Sequence, residues 1–126
     1  MNGLVRFALA FLVLAHGVAH LPGFIVGWKL RALPALPFTT KVLAGIDIGD
    51  QGVKVLGILW LLTGVGFAAS AVGALVRATW VTSLLWPLLG LSMVLCVLGW
   101  PATRLGVVMN LLLATALAVI ADRALS

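Results

Sequence analysis

Four long apolar runs, each close to the ~20 residues an α-helix needs to cross the hydrocarbon core of a bilayer, decide what this chain can fold into. They extend from about Leu4 to Val26, Val53 to Val76, Thr79 to Gly99 and Arg104 to Ala121. None alternates as a half-buried strand does, so the backbone polar groups they carry into lipid are satisfied inside helices. With 63% of its 126 residues hydrophobic and 9% charged, the chain cannot hide its apolar side chains inside one water-soluble domain. A mean hydropathy of +1.26 agrees. The expected fold is all-α: a single integral membrane domain, residues 1–126, built as an antiparallel bundle of four transmembrane helices with a long first connection.

Within the first run Arg6 precedes an apolar stretch that reaches Ala15, as in a secretory signal. Its apolar character continues past two histidines, and no small-x-small cleavage site opens a soluble domain, so it reads as the first span. The connection over 27–52 carries Lys29, Arg31, Lys41, Asp47 and Asp50 together with Pro34 and Pro37, yet its middle keeps Leu and Phe and is expected to lie along the interface. Gly45, Gly49 and Gly52 offer a tight turn at its end. The other two connections are short enough to make the last three helices antiparallel neighbours.

Within the spans, Gly66, Ser70 and Ala74 set small residues four apart, a face that lets a partner helix approach closely. Pro87 is expected to kink the third span. Trp28, Trp80 and Trp100 fall at span ends, where an indole buries its ring and keeps its N–H wet.

A net charge of +5 invites a nucleic-acid reading. The eight basic residues stand singly at helix ends and connections, however, with no basic stripe, and anchoring to anionic lipid headgroups accounts for them. Their distribution is too even for the positive-inside rule to orient the chain. One cysteine, Cys96, excludes an intrachain disulfide and reads as a buried, inert thiol.

Polar groups are costly in hydrocarbon, and here they converge in depth. At 1.5 Å per residue, His20 and His16 lie about 9 and 15 Å from the Val26 end of the first span. Asn110 lies about 9 Å from the Arg104 end of the fourth, and Ser92 and Cys96 about 10 and 5 Å from the Gly99 end of the third. The pair His16 and His20, four apart, projects two imidazoles from one helix face, the spacing by which a helix gives two ligands to one metal. Such a pair cannot supply the opposed axial ligands of one haem.

Three readings use these residues. In the first, each imidazole donates to Asn110, Ser92 or a backbone carbonyl and fixes packing. In the second, His16, His20 and Asp47 or Asp50 hold a metal ion. In the third, His16 or His20 is the hydrogen-bonding or proton-exchanging group of a pocket for a small ligand of quinone type. The turn from Asp47 through Asp50 to Gln51 is expected to fold back as a lid over the histidines, unless Asp50 simply pairs with Lys54 one helical turn on. No nucleophile elbow, phosphate-binding glycine loop, zincin motif or Cys-x-x-Cys is present, so no catalytic residue is assigned.

Four spans in a chain of this length, a His-Gly step within Leu14-Ala15-His16-Gly17 and a long connection before the second span resemble the DoxX-like group of small bacterial membrane proteins. The likeness covers the whole hydropathy profile. It implies a four-helix bundle in the bacterial cytoplasmic membrane and an association with membrane redox or quinone-linked systems. That group often has a lysine shortly after the glycine, where this chain has His20, and the resemblance carries over no catalytic residue. The expected partners are the lipid bilayer and either further copies of the chain or a larger membrane complex, with a metal ion or quinone as the possible cofactor and no nucleic acid. The rival is an accessory subunit whose polar groups only stabilise packing and whose Gly66 and Ser70 face binds partner helices; a small oligomeric transporter is the third alternative.

Overall fold

The structure, a computed structural model, describes residues 2–125. Its elements are α1 (Gly3–Val18), α2 (Leu21–Gly27), a two-stranded hairpin of β1 (Lys41–Val42) and β2 (Ile46–Asp47), α3 (Gly49–Leu75), α4 (Val81–Leu98) and α5 (Arg104–Leu125). Four stretches are long and apolar enough to cross a membrane: Gly3–Gly27, Gly49–Leu75, Val81–Leu98 and Arg104–Ala121. At most 39% of any span's most apolar window is buried inside the protein, and side chains such as Leu4, Phe11, Val76 and Leu105 stand almost free. So much uncovered apolar surface fits an integral, multi-pass membrane protein whose outer surface contacts lipid.

The first span is two helices, not the one expected over 4–26. A continuous helix needs an N–H at position 22 to reach the carbonyl of Val18, and Pro22 has none. The chain therefore turns at Ala19 and His20, and α2 restarts with Pro22 in its first turn, where the missing N–H is harmless. The N–H of His20 bonds Gly17 O at 3.0 Å in that turn, which leaves the carbonyl of His16 without its helical partner.

Glycine sets how closely this broken span meets α3. A Cβ added at Gly17 would come within 2.9 Å of Gly64 O and of Phe67 Cβ, so the two backbones touch where a larger residue would hold them apart. Helices α1 and α2 pack chiefly on α3, α3 on α4, and α4 on α5, while α1 and α5 meet sparsely. The apolar core gathers Leu9, Val13, Phe67, Leu85, Leu89, Leu113 and Leu117. The small-residue face expected to receive a foreign helix is used at home: a Cβ on Gly66 would strike Leu88 of α4, and Ser70 is completely buried. Helix α4 continues through Pro87 as one helix.

Helices α2 and α3 end alike. Leu30 N–H reaches Ile25 O and Lys29 N–H reaches Val26 O; likewise Ala78 N–H reaches Gly73 O and Arg77 N–H reaches Ala74 O. These are Schellman closures, with Lys29 (φ 54°) and Arg77 (φ 62°) in the left-handed position glycine usually fills.

The first connection is held to the bundle. Leu43 N–H bonds the carbonyl of Leu98 at 2.8 Å, and Ile48 N–H bonds Thr40 O at 2.9 Å. Its hairpin turn uses Leu43 (φ 51°) and Ala44 (φ 59°), and of the three glycines expected to bend this segment only Gly49 (φ 70°) takes a positive φ. Helix α3 begins four residues before the expected Val53 and takes Asp50 and Gln51 into its first turn.

Candidate functional site

Three spans meet at one buried polar cluster. His16 and His20 come from the broken first span, Ser92 from α4 and Asn110 from α5, and none is more than 4% exposed. The imidazoles stand edge to face with centroids 4.7 Å apart, and Phe67 of α3 packs against both. Trp60 also packs against His20, with centroids 5.2 Å apart.

One group fixes the direction of every hydrogen bond in the cluster when both imidazoles are neutral. The carbonyl of His16, orphaned by the helix break, can only accept, so His20 Nδ1, 2.7 Å away, carries a proton and donates. His20 Nε2 is then an acceptor, and the Ser92 hydroxyl donates to it at 2.7 Å. With its hydrogen committed, Ser92 Oγ accepts from Asn110 Nδ2 at 2.9 Å. That orients the Asn110 amide, whose Oδ1 faces His16 Nε2 at 2.9 Å and accepts from it. His16 Nε2–H also lies 3.3 Å from Ser92 Oγ. His16 is thus protonated on Nε2 and bare on Nδ1.

Nδ1 of His16 has no hydrogen-bond partner among the described residues. No fully buried side-chain nitrogen or oxygen is left without a partner there, so Nδ1 belongs to the small accessible part of His16. His16 lines a cavity of about 250 Å³ between the first span and the start of α5, walled by Ala19, Pro22, Leu36, Trp60, Leu105 and Met109 among others. No charged side chain lines it. The cluster is not a proton wire, since an amide occupies one link and a backbone carbonyl ends it, and His16 Nδ1 is its one ring nitrogen outside the hydrogen-bond chain.

The structure brings His16, His20, Ser92 and Asn110 into hydrogen-bonding contact and leaves the acidic residues apart from them. Asp47 accepts from its own Gly49 N–H at 2.9 Å, and Asp50 lies 3.8 Å from Lys29 rather than beside Lys54. Lys54 sits over the Trp28 ring, and the Trp28 indole N–H donates to the Lys54 carbonyl. The Gly49 N–H, then the Thr40 hydroxyl and the charge of Lys41, hold the Asp47 carboxyl below the usual carboxylate range. Gln51 is exposed in the first turn of α3. None of the three lines the histidine cavity, and the connection reaches it through Ala35 and Leu36 instead. The expected set of His16, His20, Asp47 and Asp50 is therefore not assembled: no three His, Cys, Asp or Glu residues gather to hold a metal ion among the described residues.

Sequence reasoning missed Trp60, Leu36 and Thr103. Thr103 sits in the turn before α5 and donates to the carbonyl of Cys96. Cys96 is buried, with Asn110 Nδ2 3.7 Å from its sulfur. The depth of Trp60 within its span, away from the interface where tryptophans usually rest, was the available signal. No family model, curated protein or solved structure matches this chain.

Proposed function

We propose that the histidine cavity binds a small lipophilic molecule of the quinone type, and that the protein serves this role in a bacterial cytoplasmic-membrane redox or transport assembly as an antiparallel four-helix, DoxX-like bundle. The observation behind the reading is a buried imidazole with one ring nitrogen unbonded, on a cavity whose wall is otherwise largely apolar. Pockets of this make-up, apolar with a few placed polar groups, are what small-molecule sites look like. The uncharged lining argues against an ionic ligand, because an unpaired charge there would be desolvated without compensation.

The test is extraction of the protein purified in mild detergent, with mass spectrometry of the extract and measurement of metal content and absorption spectrum. A single lipophilic compound at near-stoichiometric amount, lost in Ala19→Phe, which fills the cavity from an exposed position, is the expected result. A nil extract from both proteins sinks the reading. A metal lost with His16→Ala or His20→Ala would move the function to ion binding.

The accessory-subunit reading has an observation of its own, the complete satisfaction of the fully buried polar side-chain atoms among the described residues. Under it, replacing both histidines changes thermal stability alone.

A further inference from the structure

The cavity's hydrogen-bonding character goes further than its shape. Among the side chains that line it, those of His16, His20, Trp60 and Thr103 carry a ring nitrogen or a hydroxyl. His20 has both ring nitrogens engaged, one by the His16 carbonyl and one by Ser92. The Thr103 hydroxyl has committed its hydrogen to the Cys96 carbonyl. Trp60 has an indole N–H with no partner among the described residues, and it lines both this cavity and the neighbouring one. His16 contributes a bare Nδ1 lone pair on a side chain only 4% exposed.

That lone pair decides what the site accepts. A buried acceptor faced by an ether or carbonyl oxygen meets a second lone pair and stays unsatisfied; faced by an O–H, it gains a hydrogen bond in a low-dielectric setting. A hydroxyl oxygen keeps its lone pairs after donating, so it can still accept from a second group. An ammonium would donate equally well, but no carboxylate lines the cavity to pair with it. At about 250 Å³ the cavity falls below the ~300–1,000 Å³ of sites that enclose a drug-sized molecule, so it suits a ring-sized head with any tail left outside.

Building on the binding role proposed above, we infer that the site selects lipophiles presenting a hydroxyl to His16, of phenol or alcohol class, over the matching ethers and carbonyl compounds. For a ligand with reduced and oxidised forms, the hydroxyl-bearing reduced form is the one held. Discrimination of this kind is strong where a buried polar group would otherwise go unpaired.

The probes are 4-propylphenol and its methyl ether, titrated calorimetrically into the full-length protein in mild detergent, with nitrogen NMR of protein labelled at histidine. The phenol is expected to bind about tenfold or more tighter than the ether, the worth of one hydrogen bond. It is also expected to shift the unprotonated His16 Nδ1 resonance, whereas the ether leaves it in place. Ala19→Phe, which leaves the His16–Asn110–Ser92–His20 cluster untouched, should abolish binding of both. Equal affinity for the two probes overturns the selectivity while leaving the cavity as a binding site. Failure of both probes to bind, or phenol binding that survives Ala19→Phe, overturns the binding role and the selectivity with it.

Discussion

A residue such as Asn110 illustrates why the polar cluster is all-or-none. Its amide donates to Ser92 and accepts from His16, so Asn110→Ala strips partners from two groups buried to within 4% of complete exclusion. Leaving buried groups unpaired costs about 1–3 kcal/mol each, and the expected loss is about 2 kcal/mol in reversible unfolding in detergent. Ser92→Ala should cost a similar amount, and the double variant less than the sum of the two, because the substitutions share one network. An additive result would dismiss the network. The hydrogen-bond directions are directly observable: nitrogen NMR of histidine-labelled protein should find His20 protonated on Nδ1 and His16 on Nε2. The reverse pattern would contradict the directing role of the His16 carbonyl. Exposed charges carry far less. Lys29 and Asp50 are each 61% exposed at 3.8 Å, and Asp50→Ala is expected to change stability by less than about 0.5 kcal/mol.

Among the elements, the first span and the first connection departed most from expectation, for opposite reasons. The apolar run from Leu4 to Val26 hid its own interruption, because hydropathy does not register the N–H that Pro22 lacks. The four-residue spacing of His16 and His20 was legible, but its consequence was not, since His20 turns back onto the His16 carbonyl instead of standing parallel to the His16 ring. In the connection, glycines were expected to supply the bend, yet the hairpin places Leu43 and Ala44 at positive φ and uses the Asp47 carboxylate to hold the Gly49 N–H. A turn with two left-handed residues favours Asn-Gly, so Ala44→Gly should relieve strain and stabilise the hairpin by about 1 kcal/mol, read from amide exchange at Gly45 and Ile46. Asp47 makes the same segment sensitive to acid. Its folded value lies below the ordinary one, so its contribution is complete above the ordinary value and fades as pH falls through the lowered one. Proteolysis of the connection should accelerate in that acidic window in the native chain and show no such step in Asp47→Asn.

Over the whole molecule, four helices long and apolar enough to cross a membrane were legible in the sequence, because long apolar runs are a strong signal. The sequence also indicated convergence of His16, His20, Ser92 and Asn110, since depth follows from helical rise once the spans are set. The partners of Asp47 and Asp50 were beyond it: short-range bonds inside the connection compete with a metal or lid role, and one-dimensional spacing cannot rank them. The destination of the Gly66 and Ser70 face was equally hidden, because a small-residue face looks the same whether it receives a helix of its own chain or of another.

The bond from Leu43 N–H to the Leu98 carbonyl closes the first connection onto the end of α4. That carbonyl is among the last of α4, beyond the reach of any N–H in its own helix, and the connection supplies the donor. Swinging the entire segment outward would strip a helix end of its cap, so this bond ties the connection to the bundle. The short turn joining Leu33 and Leu36 precedes this anchor in the chain, and Leu36 lines the histidine cavity. A substitution that removes the anchor is therefore expected to loosen the part of the cavity wall that Ala35 and Leu36 supply.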